Sequence, residues 1–166
     1  MFFLTNCSKD DKLTTPETII NSGNLEFAET LGGSKNDLFN SIVKTTDGGY
    51  AILGYTQSKD GNIISKTEED FDFWILKYDA NNTLLWSKTF GGSNDDRGAD
   101  IIETSDGGFA LLGYSRSSDK DVTLNAGSQD FWLVKLSSNG EITWQKTFGF
   151  SGADYGTTLI QTNDNG

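Results

Sequence analysis

The chain repeats itself, and the repeat decides what it can fold into. Thr30-Leu31-Gly32-Gly33-Ser34 returns as Thr89-Phe90-Gly91-Gly92-Ser93. Asp47-Gly48-Gly49-Tyr50-Ala51-Ile52-Leu53-Gly54-Tyr55 returns as Asp106-Gly107-Gly108-Phe109-Ala110-Leu111-Leu112-Gly113-Tyr114. Between residues 30–58 and 89–117, at an offset of 59, 15 of 29 positions are identical. One deletion shifts the offset to 58, and residues 72–90 then match 130–148 at 9 of 19 positions, with Trp86 over Trp144. A third copy starts at Phe148 and runs to Asp164-Asn165-Gly166, inside the turn that reads Asp-Gly-Gly elsewhere. In such arrays each copy is one supersecondary unit that buries its apolar face against its neighbour.

Each copy holds four strand candidates: A over 38–45 (and 97–104), B over 50–57, C over 72–78 and D over 84–90. Asp47-Gly48 and Asn139-Gly140 supply the positive φ of tight hairpins, with Asn81-Asn82 doing so less cleanly, so A–B and C–D are expected to be antiparallel neighbours. Strands B and C are apolar on both alternating faces and must be covered on both. Strand D is more polar, as an exposed edge requires.

Buried middle strands and a polar outer strand describe the blade of a β-propeller, an all-β architecture. The expected organisation over 25–166 is a first D-type strand at 25–31, blade one at about 32–90, blade two at about 91–148 and the start of a third at 149–166. Leu25–Leu31 aligns with Leu84–Phe90 and either completes the last blade of a ring or belongs to a preceding repeat. The period exceeds the roughly 40–50 residues of WD40 and kelch units, and the excess falls in the B–C connections 58–71 and 117–129. About two and a third units cannot close a ring without leaving large apolar faces open, so the propeller is read as incomplete and the sequence as a fragment. A β-sandwich of the two units is the alternative. The Gly-Gly-Ser…Asp-Gly-Gly-aromatic…Asp-Phe-Trp…Trp pattern resembles the repeat-bearing surface and secreted proteins of bacteria, a family with no single agreed activity.

The N-terminus carries a second signature. Leu4-Thr5-Asn6-Cys7 resembles the lipobox of bacterial lipoproteins, which implies that Cys7 is the lipid attachment site. Ser8-Lys9-Asp10-Asp11-Lys12 resembles the Lys-acidic signal that sends some lipoproteins to the outer face of the outer membrane. Residues 1–7 are too short for a complete signal peptide and read as a truncated remnant. Residues 8–24 are polar, carry the only proline (Pro16) and read as a flexible tether. The expected location is the bacterial cell surface, held to the outer membrane through the lipid anchor alone.

Composition narrows the chemistry. Histidine is absent, which removes Ser-His-Asp and Cys-His triads and the commonest zinc ligand. A single cysteine cannot form an intrachain disulfide. With 24 acidic and 13 basic residues the net charge is -11, which disfavours nucleic acid as a partner. No apolar run approaches the roughly 18 residues needed to span a bilayer.

The B–C loops are the most informative candidate site. Asp119, Asp121, Thr123 and Asn125 alternate oxygen ligands at calcium-loop spacing, though the glycine at the sixth position and the closing glutamate are missing. Calcium is therefore the one candidate cofactor, set against a plain solvated loop. Asp37, Asp96 and Asp154 recur before strand A and read as structural acceptors for the Gly-Gly-Ser turn backbone, since an active site needs asymmetry among copies. Trp74, Trp132, Trp86 and Trp144 are either sugar platforms or packing between units, and Tyr55 and Tyr114 pose the same choice. Glu68-Glu69-Asp70 and Asp95-Asp96 read as solvated charge runs and not as tuned acid–base pairs. No catalytic residue is assigned. The expected function is a non-enzymatic surface binding or adhesion module whose loops hold a glycan or protein. The alternatives are a polysaccharide-acting hydrolase or lyase with its site in further blades, or a structural spacer in a surface uptake complex.

Overall fold

The computed structural model describes residues 28–64 and 66–164. Eight strands account for its regular structure: β1 (Asp37–Lys44), β2 (Tyr50–Thr56), β3 (Asp72–Tyr78), β4 (Leu84–Phe90), β5 (Asp96–Glu103), β6 (Phe109–Ser115), β7 (Asp130–Leu136) and β8 (Ile142–Phe148). They form two antiparallel four-stranded sheets, β1-β2-β3-β4 and β5-β6-β7-β8. The all-β reading with four strands per copy holds, and A and B deviate by one residue. Each sheet is open, with its first and last strands as edges. Cys7, the tether 8–24 and residues 25–27 of the anticipated first D-type strand lie outside the described residues; Ala28–Leu31 belong to neither sheet. Among the described residues no helix is long and apolar enough to cross a membrane.

The A–B hairpins close on the Asp-Gly pair. Thr45 Oγ1 and Gly49 N both donate to Asp47 Oδ1 (2.5 and 3.0 Å), and Gly48 takes φ +88°. Lys77 Nζ, from β3, reaches Asp47 Oδ2 at 2.8 Å and ties the turn to the sheet. Thr104, Asp106, Gly108 and Lys135 repeat the arrangement. The neighbouring lysine holds the Asp47 carboxyl down at about 2, and Lys135 depresses Asp106 in the same way.

The two sheets pack face to face, and the faces that meet are unlike. Ala51 and Leu53 of β2, Phe73 and Ile75 of β3 and Phe90 of β4 form one core with Ile101, Phe109, Leu111, Trp132, Val134 and Leu136 of the second sheet. The repeat equivalents of that first set are Ala110, Leu112, Phe131, Leu133 and Phe148. Strand alternation turns these to the far side of the second sheet. The far side of the first sheet carries Ile52, Trp74, Leu76 and Tyr78, packed with Leu31, Phe39 and Tyr50. Each fully buried side chain of this size contributes about 1.5–3 kcal/mol.

The first strands of successive copies lie side by side. Asp100 of β5 accepts from Ser41 Oγ of the copy before (2.7 Å) and from Thr158 Oγ1 and Leu159 N of the copy after (both 2.9 Å). Glu103 takes Thr46 N at 2.8 Å, and Gln161, its repeat equivalent, takes Ser105 N at 2.9 Å. Gly98 sits against Leu53, and Gly156 sits against Leu112 in the same way. One contact geometry thus relates copy one to copy two and copy two to the start of copy three.

Candidate functional site

The end of the molecule where the B–C loops leave the sheets is built on the Gly-Gly-Ser turn. Asp37 Oδ2 accepts from Gly33 N and Ser58 Oγ (both 2.8 Å), and Oδ1 from Thr56 Oγ1. Asp96 repeats this with Gly92 N (2.7 Å), Ser117 Oγ (2.9 Å) and Ser115 Oγ, and adds Arg116 N at 3.2 Å. Asp154 accepts from Phe150 N at 3.1 Å. The recurring aspartates are therefore acceptors for turn amides. Burial pushes the Asp96 carboxyl up, against the pull of its four donors.

The calcium-spaced loop folds beneath the same turn. Asp119 Oδ1 accepts from Ser93 N at 2.9 Å, and Asp121 Oδ2 from Gly91 N at 3.1 Å. The first copy matches through Asp60 to Ser34 N (2.7 Å) and Asn62 to Gly32 N (2.9 Å). Thr123 Oγ1 accepts from Gln145 Nε2 at 2.7 Å, while Asn125 Oδ1 accepts from Gly127 N at 3.2 Å and its Nδ2 donates to Ser115 O at 2.9 Å. The structure directs the four candidate oxygens to separate partners. No group of three or more His, Cys, Asp or Glu converges among the described residues. Lys120, at φ +54°, takes the backbone turn that Gly61 makes in the first copy (φ +68°).

The acidic runs are neutralised piecemeal. Glu68 pairs with Lys120 at 2.5 Å and Glu69 with Lys59 at 3.1 Å. Lys66, wholly buried, bridges Asp70 at 2.9 Å and Asp72 at 2.5 Å. Desolvation pushes the Asp72 carboxyl up to about 7 despite that lysine.

Of the aromatic candidates, Trp74 and Trp132 are fully buried and hydrogen-bonded through Nε1 to Ser87 and Gln145 (2.9 Å each). Trp132 packs edge-on against Phe73 at 4.7 Å. They are packing residues with no open face. Trp86 is half-buried against Phe109, and Trp144 is exposed. Tyr55 and Tyr114 are half-buried and stand at the loop end, Tyr55 edge-on to Phe71 and Tyr114 edge-on to Tyr155 (both 5.3 Å).

Between these aromatic pairs lies a constellation that the sequence reading did not single out. Arg97 lies over Phe71 at 4.3 Å and over Tyr55 at 5.2 Å, and its Nη2 reaches Asp95 Oδ2 at 3.1 Å. Arg116 Nη1 lies 3.9 Å from the same oxygen, and its Nε donates to Gln129 Oε1 at 2.8 Å. The available signal was asymmetry: Arg97, Arg116 and Gln129 stand where the first copy has Leu38, Gln57 and Phe71. At the opposite end an open cleft of about 350 Å³ is lined by Ile42, Lys44, Tyr50, Asp79 and Asn82. No family model matches the chain, and no curated protein matches it.

Proposed function

We propose that the chain is part of a lipid-anchored, cell-surface binding module of the β-propeller class, with its ligand held at the loop end and no catalytic role. The observation that carries the reading is the repeated packing of each copy on the next. The first sheet presents Leu53, Phe73 and Ile75 to the second, and the equivalents of those residues face away toward the place where residues 154–161 already lie. Stacking unlike faces about a line of inner strands is how blades surround an axis. The rim of Tyr55, Phe71, Arg97, Asp95, Arg116 and Tyr114 lies at the end where loops of unequal sequence meet, which is where one scaffold acquires a particular ligand. Anchoring through Cys7 rests on its lipobox-like context.

A glycan array probed with the purified chain and with a Tyr55→Ala, Tyr114→Ala double variant tests the binding role. A saccharide that binds the parent and loses at least tenfold in affinity with the variant supports it. Absence of binding, or binding indifferent to both tyrosines, removes it. Calcium at the Asp119–Asn125 loop belongs to the same proposal. A rise in melting temperature at millimolar calcium supports a metal at the loop, and an unchanged value leaves Asp119 and Asp121 as turn acceptors only.

A further inference from the structure

The chain has two arginines, and both converge on one carboxylate. In a protein with 24 acidic and 13 basic side chains, Arg97 and Arg116 share Asp95 Oδ2 at 3.1 and 3.9 Å. Asp96, next in sequence, is turned inward and fully engaged by the Gly-Gly-Ser turn. The two guanidinium groups thus meet at this spot, beside the Asp95 and Asp96 carboxylates. Two buried donors here also lack a partner. Arg97 Nε and Gln129 Nε2 are buried and have no acceptor among the described residues, Gln129 being 2% exposed with its Oε1 already given to Arg116. Burying a donor without an acceptor is unfavourable, so these two groups favour an added acceptor, as the likewise unpartnered Asp70 Oδ2, Asp72 Oδ1 and Asp130 Oδ1 favour an added donor.

The surroundings narrow the ligand. Arg97 lies over Phe71 and Tyr55, whose rings stand at 89° to each other, and a planar guanidinium suits a carboxylate. Tyr114 and Tyr155 continue the rim with rings set edge to face at 5.3 Å, Tyr155 being 56% exposed. Aromatic faces beside oriented donors suit the C–H face and hydroxyls of a pyranose. The net charge of -11 meanwhile penalises a densely charged polyanion within the screening length of about 8 Å.

We infer that the Arg97–Asp95–Arg116 rim recognises a saccharide bearing an isolated carboxylate, a uronic-type sugar among neutral ones. This rests on the glycan-binding reading above and names the ligand chemistry of that site. Arg116, with its side chain 48% exposed, supplies the charge contact, and Arg97, with its side chain 32% exposed, places a second guanidinium beside it.

The probes are a tetrasaccharide of three neutral hexoses capped by glucuronate, its methyl ester, and trigalacturonate, titrated by calorimetry into the parent chain, Arg97→Gln and Arg116→Gln. Thermal melts verify that both variants fold. Arg116→Gln is the one expected to keep the parent melting temperature. The capped tetrasaccharide should bind at least tenfold more tightly than its ester, and Arg116→Gln should reduce its affinity to that of the ester. Equal binding of acid and ester, or affinity unmoved by Arg116→Gln, overturns the charge recognition while the glycan reading stands. Tighter binding of trigalacturonate overturns the isolated-charge inference. If none of the three sugars binds the parent chain, the charge inference falls, and a blank glycan array then removes the glycan reading as well.

Discussion

Asp72 puts a carboxyl where water does not reach it. It is 7% exposed, its Oδ1 has no partner among the described residues, and Lys66 holds only Oδ2. Desolvation, reinforced by Asp70 and Asp96, raises its pKa to about 7. Since the folded value lies above the unfolded value of about 4, the stability this group carries is full below about pH 4 and is lost as pH rises through about 7. Asp47 has the opposite sign: its folded pKa is depressed, so its exposed, screened contribution is present above about pH 4 and lost as pH falls through about 2. Urea unfolding at pH 5 and pH 8 should therefore show a parent protein that weakens at the higher pH. Asp72→Asn should flatten that dependence, by an amount on the order of a few kcal/mol. A variant weakened equally at both pH values would mean that the Lys66 ion pair outweighs desolvation. A second contrast concerns two residues with one role. Asp96→Ala strips an acceptor from four buried or half-buried donors and should cost about 3 kcal/mol or more. Asp154→Ala loses one exposed bond and should cost less than about 1 kcal/mol. Denaturant melts of the two variants measure the difference, and equal costs would defeat the clamp.

At the level of elements, glycines with different reasons for being glycine separate turn from strand. Gly107 has φ +76° in the β5–β6 turn, and a methyl there would meet nothing within 4 Å. Gly107→Ala should cost only the left-handed strain, about 1 kcal/mol. Gly113, inside β6, lies under the Arg97 carbonyl and 2.7 Å, at its would-be Cβ, from the Phe73 ring. The bulge between Gly98 and Asp100 bends β5 over it. Gly113→Ala should cost several-fold more, and equal melting temperatures for the two variants would contradict this. The contrast also shows what the sequence made legible. Strand spans and hairpins followed from alternation and from Asp-Gly and Asn-Gly pairs, because those signals are local. The bulges over Gly54 and Gly113 were illegible, since nothing in β1 or β5 announces an extra residue. The B–C loop displayed alternating oxygens, which matched a calcium pattern. The destination of the Asp119 and Asp121 oxygens, the amides of a turn 26 to 30 residues away, depends on the fold. The arginine rim escaped the repeat analysis because it occupies the positions where the copies differ.

At the scale of the whole molecule, near-identical residues acquire different duties from the neighbours their copy has. Phe90 and Phe148 end equivalent strands, β4 and β8, opposite Phe73 and Phe131. Phe90 is 8% exposed within the core shared by both sheets, whereas Phe148 is 44% exposed beneath the Lys146 ammonium. Trp86 and Trp144 divide in the same way. Among the described residues the far side of the second sheet is met only by the strip 154–161 along its inner strand, at Leu112 and Tyr114. Phe90→Ala should therefore cost about 3–5 kcal/mol, as a core aromatic does. Phe148→Ala should cost less than about 1 kcal/mol, because little transfer free energy is lost from an open position. Guanidinium unfolding of the two variants at a protein concentration low enough to suppress association measures both. If Phe148→Ala proved as costly as Phe90→Ala, the outer face of the second sheet would have to be covered in solution. The contact made there by residues 154–161 would then extend across the whole sheet, as β5 to β8 extend across the first.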